Sequence, residues 1–254
     1  MSSHHLSETP SLAIEGAVAT ITLRRPQVAN RLEPQDLETL MSHIAQVNAS
    51  PVLVLRLQAV GRYFCSGFDI GQISPAGGGV RFEDMVNAFE DCRPATVAVI
   101  QGGVYGGATD LALACDFRIG NERAEMFMPA ARLGLHFYRS GLERYVSRLG
   151  LDTAKRLFLS AEKLNAHAMR ECGFLTELVK DEALDERVQA LCGALAAMAP
   201  LAVTGMKKHL NRIARGRLDV AELQADIERA AHSRDLQEGA RAWREKRAPR
   251  FTGN

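Results

Sequence analysis

Residues 102–116 read Gly102-Gly103-Val104-Tyr105-Gly106-Gly107-Ala108-Thr109-Asp110-Leu111-Ala112-Leu113-Ala114-Cys115-Asp116. They follow Ala95-Thr96-Val97-Ala98-Val99-Ile100, an apolar run with the length and branching of a buried strand. The glycines lead directly into a helical run, Leu111 to Ala114. Glycine admits positive φ and lets a ligand come close to the main chain. At a helix start the backbone N–H groups lack intrahelical acceptors and lie at the positive end of the helix dipole. An anion, or an oxygen that becomes one during a reaction, is stabilised there. A tight strand-to-helix connection without any ligand would use the same glycines. No Gly-Lys-Ser/Thr follows, so the stretch is not a phosphate loop, and its spacing is not that of a dinucleotide-binding turn.

A second glycine-bearing turn, Phe64-Cys65-Ser66-Gly67-Phe68-Asp69-Ile70, follows the apolar run 52–57. Further toward the N-terminus, 12–14 and 18–23 read as a hairpin around Glu15-Gly16. Leu37, Leu40, Met41, Ile44 and Val47 then make a helical stripe over 34–47. Helical character returns at 82–90 and 107–115, and 117–119 reads as a third strand. Strands alternating with helices indicate a layered α/β domain. After about residue 141 the pattern turns helical, at 142–149, 153–159, 166–171, 184–198, 201–214, 220–231 and 236–246. Only 174–179 reads as a strand among them, and Gly150, Gly173 and Gly216 stand as stop signals. Gly77-Gly78-Gly79 sits in a polar stretch, 72–81, that reads as a mobile loop, and no internal repeat is present.

The chain has 254 residues, 46% of them hydrophobic and 24% charged, enough to bury a real core. With 31 Lys+Arg against 30 Asp+Glu the formal charge is +1, which argues against a general nucleic-acid binder. The five cysteines, Cys65, Cys92, Cys115, Cys172 and Cys192, show no metal-ligand spacing and read as free thiols of a reducing compartment. Residues 1–10 read as a flexible leader without the apolar core of a secretory signal. The most apolar stretch, 191–203, is broken by Pro200 and falls short of the roughly 20 residues that span a bilayer. The C-terminus carries no peroxisomal tripeptide. The expectation is a soluble, cytoplasmic protein with no metal, nucleic-acid or membrane partner.

The motifs together carry a resemblance. Phe64 to Ile70 closely resembles the F-C-A-G-x-D-L stretch of the enoyl-CoA hydratase/isomerase (crotonase) family, and Gly102 to Asp116 resembles its G-x-x-x-G-G-G-x-E-L-A-L-A-C-D. Arg25-Pro26-Gln27-Val28-Ala29-Asn30 is similar to the family's R-P-x-x-x-N, and Arg132-Leu133-Gly134-Leu135 also matches. Glu245-Lys246-Arg247-Ala248-Pro249-Arg250-Phe251 is similar to E-K-R-x-P-x-F, so the likeness runs in order along nearly the whole chain. It implies an α/β fold: a crotonase-like core of stacked β-β-α units over 11–195 and a helical C-terminal trimerisation region over 196–254. The implied assembly is a homotrimer or a dimer of trimers. The implied partner is an acyl-CoA, with coenzyme A as part of the thioester substrate and no prosthetic group.

By the matching motifs, the N–H groups of Phe68 and Gly107 would hold the thioester oxygen. Each such donor stabilises a developing oxyanion by on the order of 3 kcal/mol. Val28, Asn30, Ser66, Asp69 and Ile70 match positions near the CoA moiety. Lys246 and Phe251 match positions that approach its adenosine or phosphate, from the same or a neighbouring subunit. The basic run Arg241, Arg244, Lys246, Arg247 and Arg250 would serve equally as a solvated helix face, and Trp243 reads as packing. Hydratases of the family carry two glutamates, because hydration must activate a water and protonate the α-carbon. Asp110 occupies the first position, and Ala130 of Met128-Pro129-Ala130-Ala131 stands at the second. Asp110 would also serve as a first-turn acid favouring the helix dipole. The turn Leu135-His136-Phe137-Tyr138-Arg139-Ser140-Gly141-Leu142-Glu143 supplies further candidates, with His136 as base, Tyr138 as proton donor or orienter, and Glu143 as acid or helix cap. A His or Tyr in a turn serves structure as readily as catalysis. Cys65 and Cys115 have no fixed His partner for thiol chemistry. The implied function is enoyl-CoA hydratase/isomerase-like. Decarboxylation, thioester hydrolysis, and CoA-thioester binding with little catalysis stand as alternatives.

Overall fold

The computed structural model describes residues 8–69, 71 and 79–254. Ile70, most of the 1–10 leader and Gly77-Gly78 lie outside the described residues. In chain order the strands are β1 (Ser11–Glu15), β2 (Val18–Leu23), β3 (Val54–Ala59), β4 (Ala95–Ile100), β5 (Gly103–Tyr105), β6 (Phe117–Asn121), β7 (Glu125–Phe127), β8 (Lys163–Asn165) and β9 (Glu177–Val179). The helices are α1 (Pro34–Ala49), α2 (Phe82–Glu90), α3 (Gly107–Ala114), α4 (Arg139–Leu149), α5 (Leu151–Ser160), α6 (Ala166–Glu171), α7 (Leu184–Ala196), α8 (Pro200–Ala214), α9 (Val220–Ala231) and α10 (Arg234–Glu245).

The main sheet runs β1-β2-β3-β4-β6-β9. Its hairpin β1–β2 is antiparallel, with Ser11 opposite Thr22, and every other pairing in it is parallel. β4 lies at its centre and is buried at every residue, as a parallel strand covered on both faces must be. The pleat sends its side chains to two cores. Ala98 and Ile100 join Leu55, Leu57, Leu37 and Phe89 on the face covered by α1 and α2. Val97 and Val99 join Val54 and Ile119 on the other face, against Leu184, Val188 and Cys192 of α7. The fold is therefore the mixed α/β arrangement that the motifs led us to expect.

Several elements depart from the sequence pattern. β5, β7 and β8 form a small second sheet in the order β5-β7-β8. Each has three residues, too few to show a period, so β8 interrupts a stretch that reads as helical. β3 starts at Val54 instead of Val52 because Pro51 and the Leu53 amide turn the chain in; Leu53 donates its N–H to Ala17 at 2.8 Å. α4 starts at Arg139, earlier than the apolar pattern suggests, so the turn holding His136 and Tyr138 runs straight into it.

α8 is fastened to the core by polar contacts. Lys207 Nζ donates to Pro94 O at 2.7 Å and Asn211 Nδ2 to Glu90 O at 2.9 Å. Lys208 of α8 pairs with Glu222 and Asp226 of α9 at 2.7 and 2.5 Å. On α10, Asp235 accepts the N–H groups of Thr252 and Gly253 at 2.7 and 2.8 Å, which folds the C-terminal residues back. Trp243 does not pack into the chain's own core, being 86% exposed. Asp235 and Ala242, the buried residues of α10, lie seven apart on one face, and Trp243 points about 100° away from it. Met206, Leu210 and Ile213 of α8 and Ile227 of α9 are exposed as well.

Candidate active site

Two turns at the ends of β3 and β4 build the site by locking together. Phe64 N–H donates to Gly103 O at 3.0 Å, and Tyr105 N–H to Cys65 O at 2.9 Å. Gly67 has φ +96, and a Cβ there would lie 2.8 Å from Tyr105 O and 3.0 Å from Gly107 N. Only glycine lets the first turn rest on the second, and the contact sets Gly67, the residue before Phe68, against the Gly107 backbone. Leu32 N–H donates to Gly67 O, and Asp69 N–H donates to Leu32 O, at 2.8 and 3.0 Å. Alternation along this short bridge turns the Phe68 N–H away from Leu32. Gly107 opens α3, where its N–H has no intrahelical acceptor. Among the described residues neither N–H finds an acceptor. Two unspent donors thus lie on turns that touch at Gly67, one of them at a helix start. The arrangement fits an oxygen that gains negative charge.

Asp110 lies in the first turn of α3 and is 0% exposed. Its Oδ2 accepts the Tyr138 hydroxyl at 2.6 Å and Arg144 Nη1 at 2.5 Å. Its Oδ1 is buried and has no hydrogen-bond partner among the described residues. Arg144, on α4, is also fully buried, and it reaches Glu90 Oε1 with Nε at 3.0 Å and Asn87 Oδ1 with Nη2 at 2.8 Å. Burial would push the Glu90 carboxyl up, but the guanidinium groups of Arg144 and Arg215 outweigh it and hold Glu90 below the usual carboxylate range. Burial first, and then the Asp110 charge, push the Tyr138 hydroxyl well above its ordinary value, so it remains a donor. Thr109 fixes the same turn by donating to Gly106 O at 2.6 Å and bonding the Tyr145 hydroxyl.

A line of aromatic rings connects the two parts of the site. Phe68 and Phe82 lie 5.8 Å apart between ring centres, Phe82 and Tyr138 6.3 Å, and Phe137 stacks on Tyr138 at 4.3 Å. The tip of the Phe82 ring fills the space of a Gly107 side chain, 2.7 Å from where its Cβ would be.

The remaining candidates separate cleanly. His136 is exposed and its Nδ1 lies 2.8 Å from Phe137 O, with no bond to Asp110. Glu143 is held by Arg139 and Arg215 at 2.7 and 3.2 Å, away from Asp110. Ala130 is buried and brings no second carboxylate. Burial pushes the Cys65 and Cys115 thiols up to about 12, which disfavours a thiolate. On the expected CoA side, Ser66 Oγ approaches Val28 O at 3.4 Å, and Asp69 pairs with Arg31 at 3.5 Å. The Asn30 side chain is spent within the fold, accepting Arg25 N–H at 2.8 Å and donating to Val60 O and Tyr63 O at 2.9 Å each. Lys246 caps α10, and Phe251 packs near Gly239 of the same helix.

Arg144 and Glu90 are the functional candidates that motif reading missed. The signal for Arg144 was its place on the inward face of α4, in register with the buried Gly141, Tyr145 and Leu149.

Comparison with known proteins bears on the family and the fold. The sequence profile described as Enoyl-CoA hydratase/isomerase matches residues 13–254. The enoyl-CoA hydratase domain-containing protein 2, mitochondrial, of Mus musculus is 30% identical over 275 residues, covering 99% of this chain and 92% of that protein. The carnitinyl-CoA dehydratase of Proteus mirabilis is 28% identical over 264 residues, covering 98% of this chain and 100% of that protein. The crystal structure of the enoyl-CoA hydratase from Bacillus anthracis superimposes with a TM-score of 0.85 at 26% identity, over 97% of this chain and 100% of that one. The chain belongs to the enoyl-CoA hydratase/isomerase family.

Proposed function

We propose that this protein binds an acyl-CoA thioester, holds its carbonyl oxygen with the N–H groups of Phe68 and Gly107, and moves a proton with Asp110. The reaction this supports best is migration of a double bond in an enoyl-CoA. Oδ1 of Asp110 removes the proton between the double bond and the thioester, the negative charge spreads onto the oxygen held by the two N–H groups, and the same carboxyl returns the proton at the far end of the new conjugated system. The product has the mass of the substrate. One observation carries the reading: Asp110 Oδ1 is a buried carboxylate oxygen with no partner among the described residues. Addition of water asks for a base and an acid together, and Ala130 offers neither.

Incubation with 3-enoyl-CoA and 2-enoyl-CoA esters, followed by mass spectrometry, separates the outcomes. Isomerisation changes retention at constant mass, and because the carboxyl hands back the proton it took, the mass stays nearly the same in heavy water. Gain of one water as the main product would overturn the isomerase reading in favour of hydration. Asp110→Asn is expected to slow conversion by about 100-fold or more while CoA-ester binding persists. A second reading, a CoA-thioester binder with little catalysis, draws on the buried ion pair between Arg144 and Asp110. It predicts tight binding with no change in the retention of the 3-enoyl ester.

Val28, Ser66 and Asp69 are placed by this reading along the CoA moiety, with Lys246 and Phe251 reaching it from a neighbouring copy. The exposed apolar residues of α8 and α9 support assembly as a homotrimer or a dimer of trimers.

A further inference from the structure

We propose that Arg144 is a positioning residue for proton transfer at Asp110, and that α8 holds Arg144 in place through Arg215 and Glu90. This inference rests on Asp110 being the working base. The Asp110 carboxylate is asymmetric: Oδ2 takes two donors, Arg144 Nη1 at 2.5 Å and the Tyr138 hydroxyl at 2.6 Å, and Oδ1 takes none. Two donors from different directions on one oxygen fix the carboxylate plane and therefore the direction of the other oxygen. A brace that served stability alone would gain by satisfying both oxygens, since a bare buried acceptor is costly. On the isomerase reading, the oxygen without a partner among the described residues is the one that takes the proton.

Arg144 can fix that direction only if its own plane is fixed. Its Nε and Nη2 reach both oxygens of Glu90, at 3.0 and 3.3 Å, and Nη2 also reaches Asn87 Oδ1 at 2.8 Å. A guanidinium held along this edge has one orientation left. Glu90 is fixed in turn by Arg215, at the C-terminal end of α8, which bonds Glu90 Oε2. Arg215 Nη1 also donates to Ser140 O at 2.5 Å and lies 3.2 Å from Glu143 Oε2, so one side chain ties α8 to both α2 and α4. Charges alternate along the row Asp110, Arg144, Glu90, Arg215 and Glu143, and the first four side chains are buried. Through Arg215 the last third of the chain is joined to the Asp110 carboxylate by a continuous row of bonded side chains.

The test uses the full-length protein and kcat and KM for 3-enoyl-CoA isomerisation. Arg144→Met is expected to lower kcat about 100-fold, because a misplaced base loses its alignment. KM is expected to stay within about 3-fold, because binding is untouched. Arg144→Lys keeps the charge and loses the fork, so its kcat is expected to fall between those of the wild type and Arg144→Met. Arg215→Met, two links away, is expected to lower kcat about 10-fold at unchanged KM. Where near-ultraviolet circular dichroism shows Arg144→Met unfolded, the Lys and Arg215 variants decide. Folded variants with wild-type kcat, or with kcat and KM shifting together, would overturn the positioning role. Loss of turnover in Asp110→Asn alone, with the arginine variants fully active, would sink this inference and leave the isomerase reading intact. A wild type that converts no 3-enoyl-CoA removes both.

Discussion

The groups proposed to polarise the substrate are main-chain atoms, and this sets which substitutions matter. Phe68 offers its N–H whatever its side chain, so Phe68→Leu is expected to retain isomerisation within about 10-fold, with the change appearing mainly in acyl-chain preference. Gly67 has no such freedom. A methyl there meets backbone atoms at 2.8 and 3.0 Å in a residue with φ +96. Gly67→Ala is expected to cost about 1–3 kcal/mol of stability and to separate the two donors. Calorimetry together with the isomerase assay checks both effects, and a fully active, equally stable Gly67→Ala would refute the geometry. At this scale the glycines and Asp110 were legible, because turn chemistry and helix starts leave local marks. Arg144, which fixes Asp110 across 34 positions, leaves no local mark beyond a charged residue on an inward helix face.

Elements were legible in proportion to their length and to the punctuation around them. β4, α2, α6 and α9 fall where the apolar period places them. The three-residue strands β5, β7 and β8 exist because Gly103–Tyr105 finds Glu125–Phe127 and the latter finds Lys163–Asn165, a tertiary event with no period to read. Helix starts show which short side chains do local work. Ser233 Oγ accepts the Leu236 N–H at 3.1 Å at the start of α10, and Asp219 and Asn165 do the same for α9 and α6. Ser233→Ala is expected to lower stability by about 1 kcal/mol, measured by chemical denaturation, with no change in the chemistry near Asp110. A larger loss accompanied by dissociation would mean that α10 depends on assembly for its fold.

For the whole molecule, two measurements follow. Light scattering on the eluting protein is expected to give three or six times the 27.8 kDa chain mass, and a monomer would refute the assembly. Alkali is the second lever. Burial, ahead of neighbouring charges and hydrogen bonds, holds the hydroxyls of Tyr105, Tyr138 and Tyr145 above the ordinary value. Above about pH 10 the unfolded chain loses these protons while the folded chain keeps them, so the folded state binds more protons and stability falls as pH rises. The denaturation midpoint is expected to drop between pH 8 and pH 11, and an unchanged midpoint would contradict the burial of these groups. Finally, Trp243 is the single tryptophan of the chain and stands almost fully in water on α10. If the proposed assembly covers this face of α10, the indole becomes a label-free optical gauge of association: on dilution through the dissociation range, its emission shifts to the red as copies part.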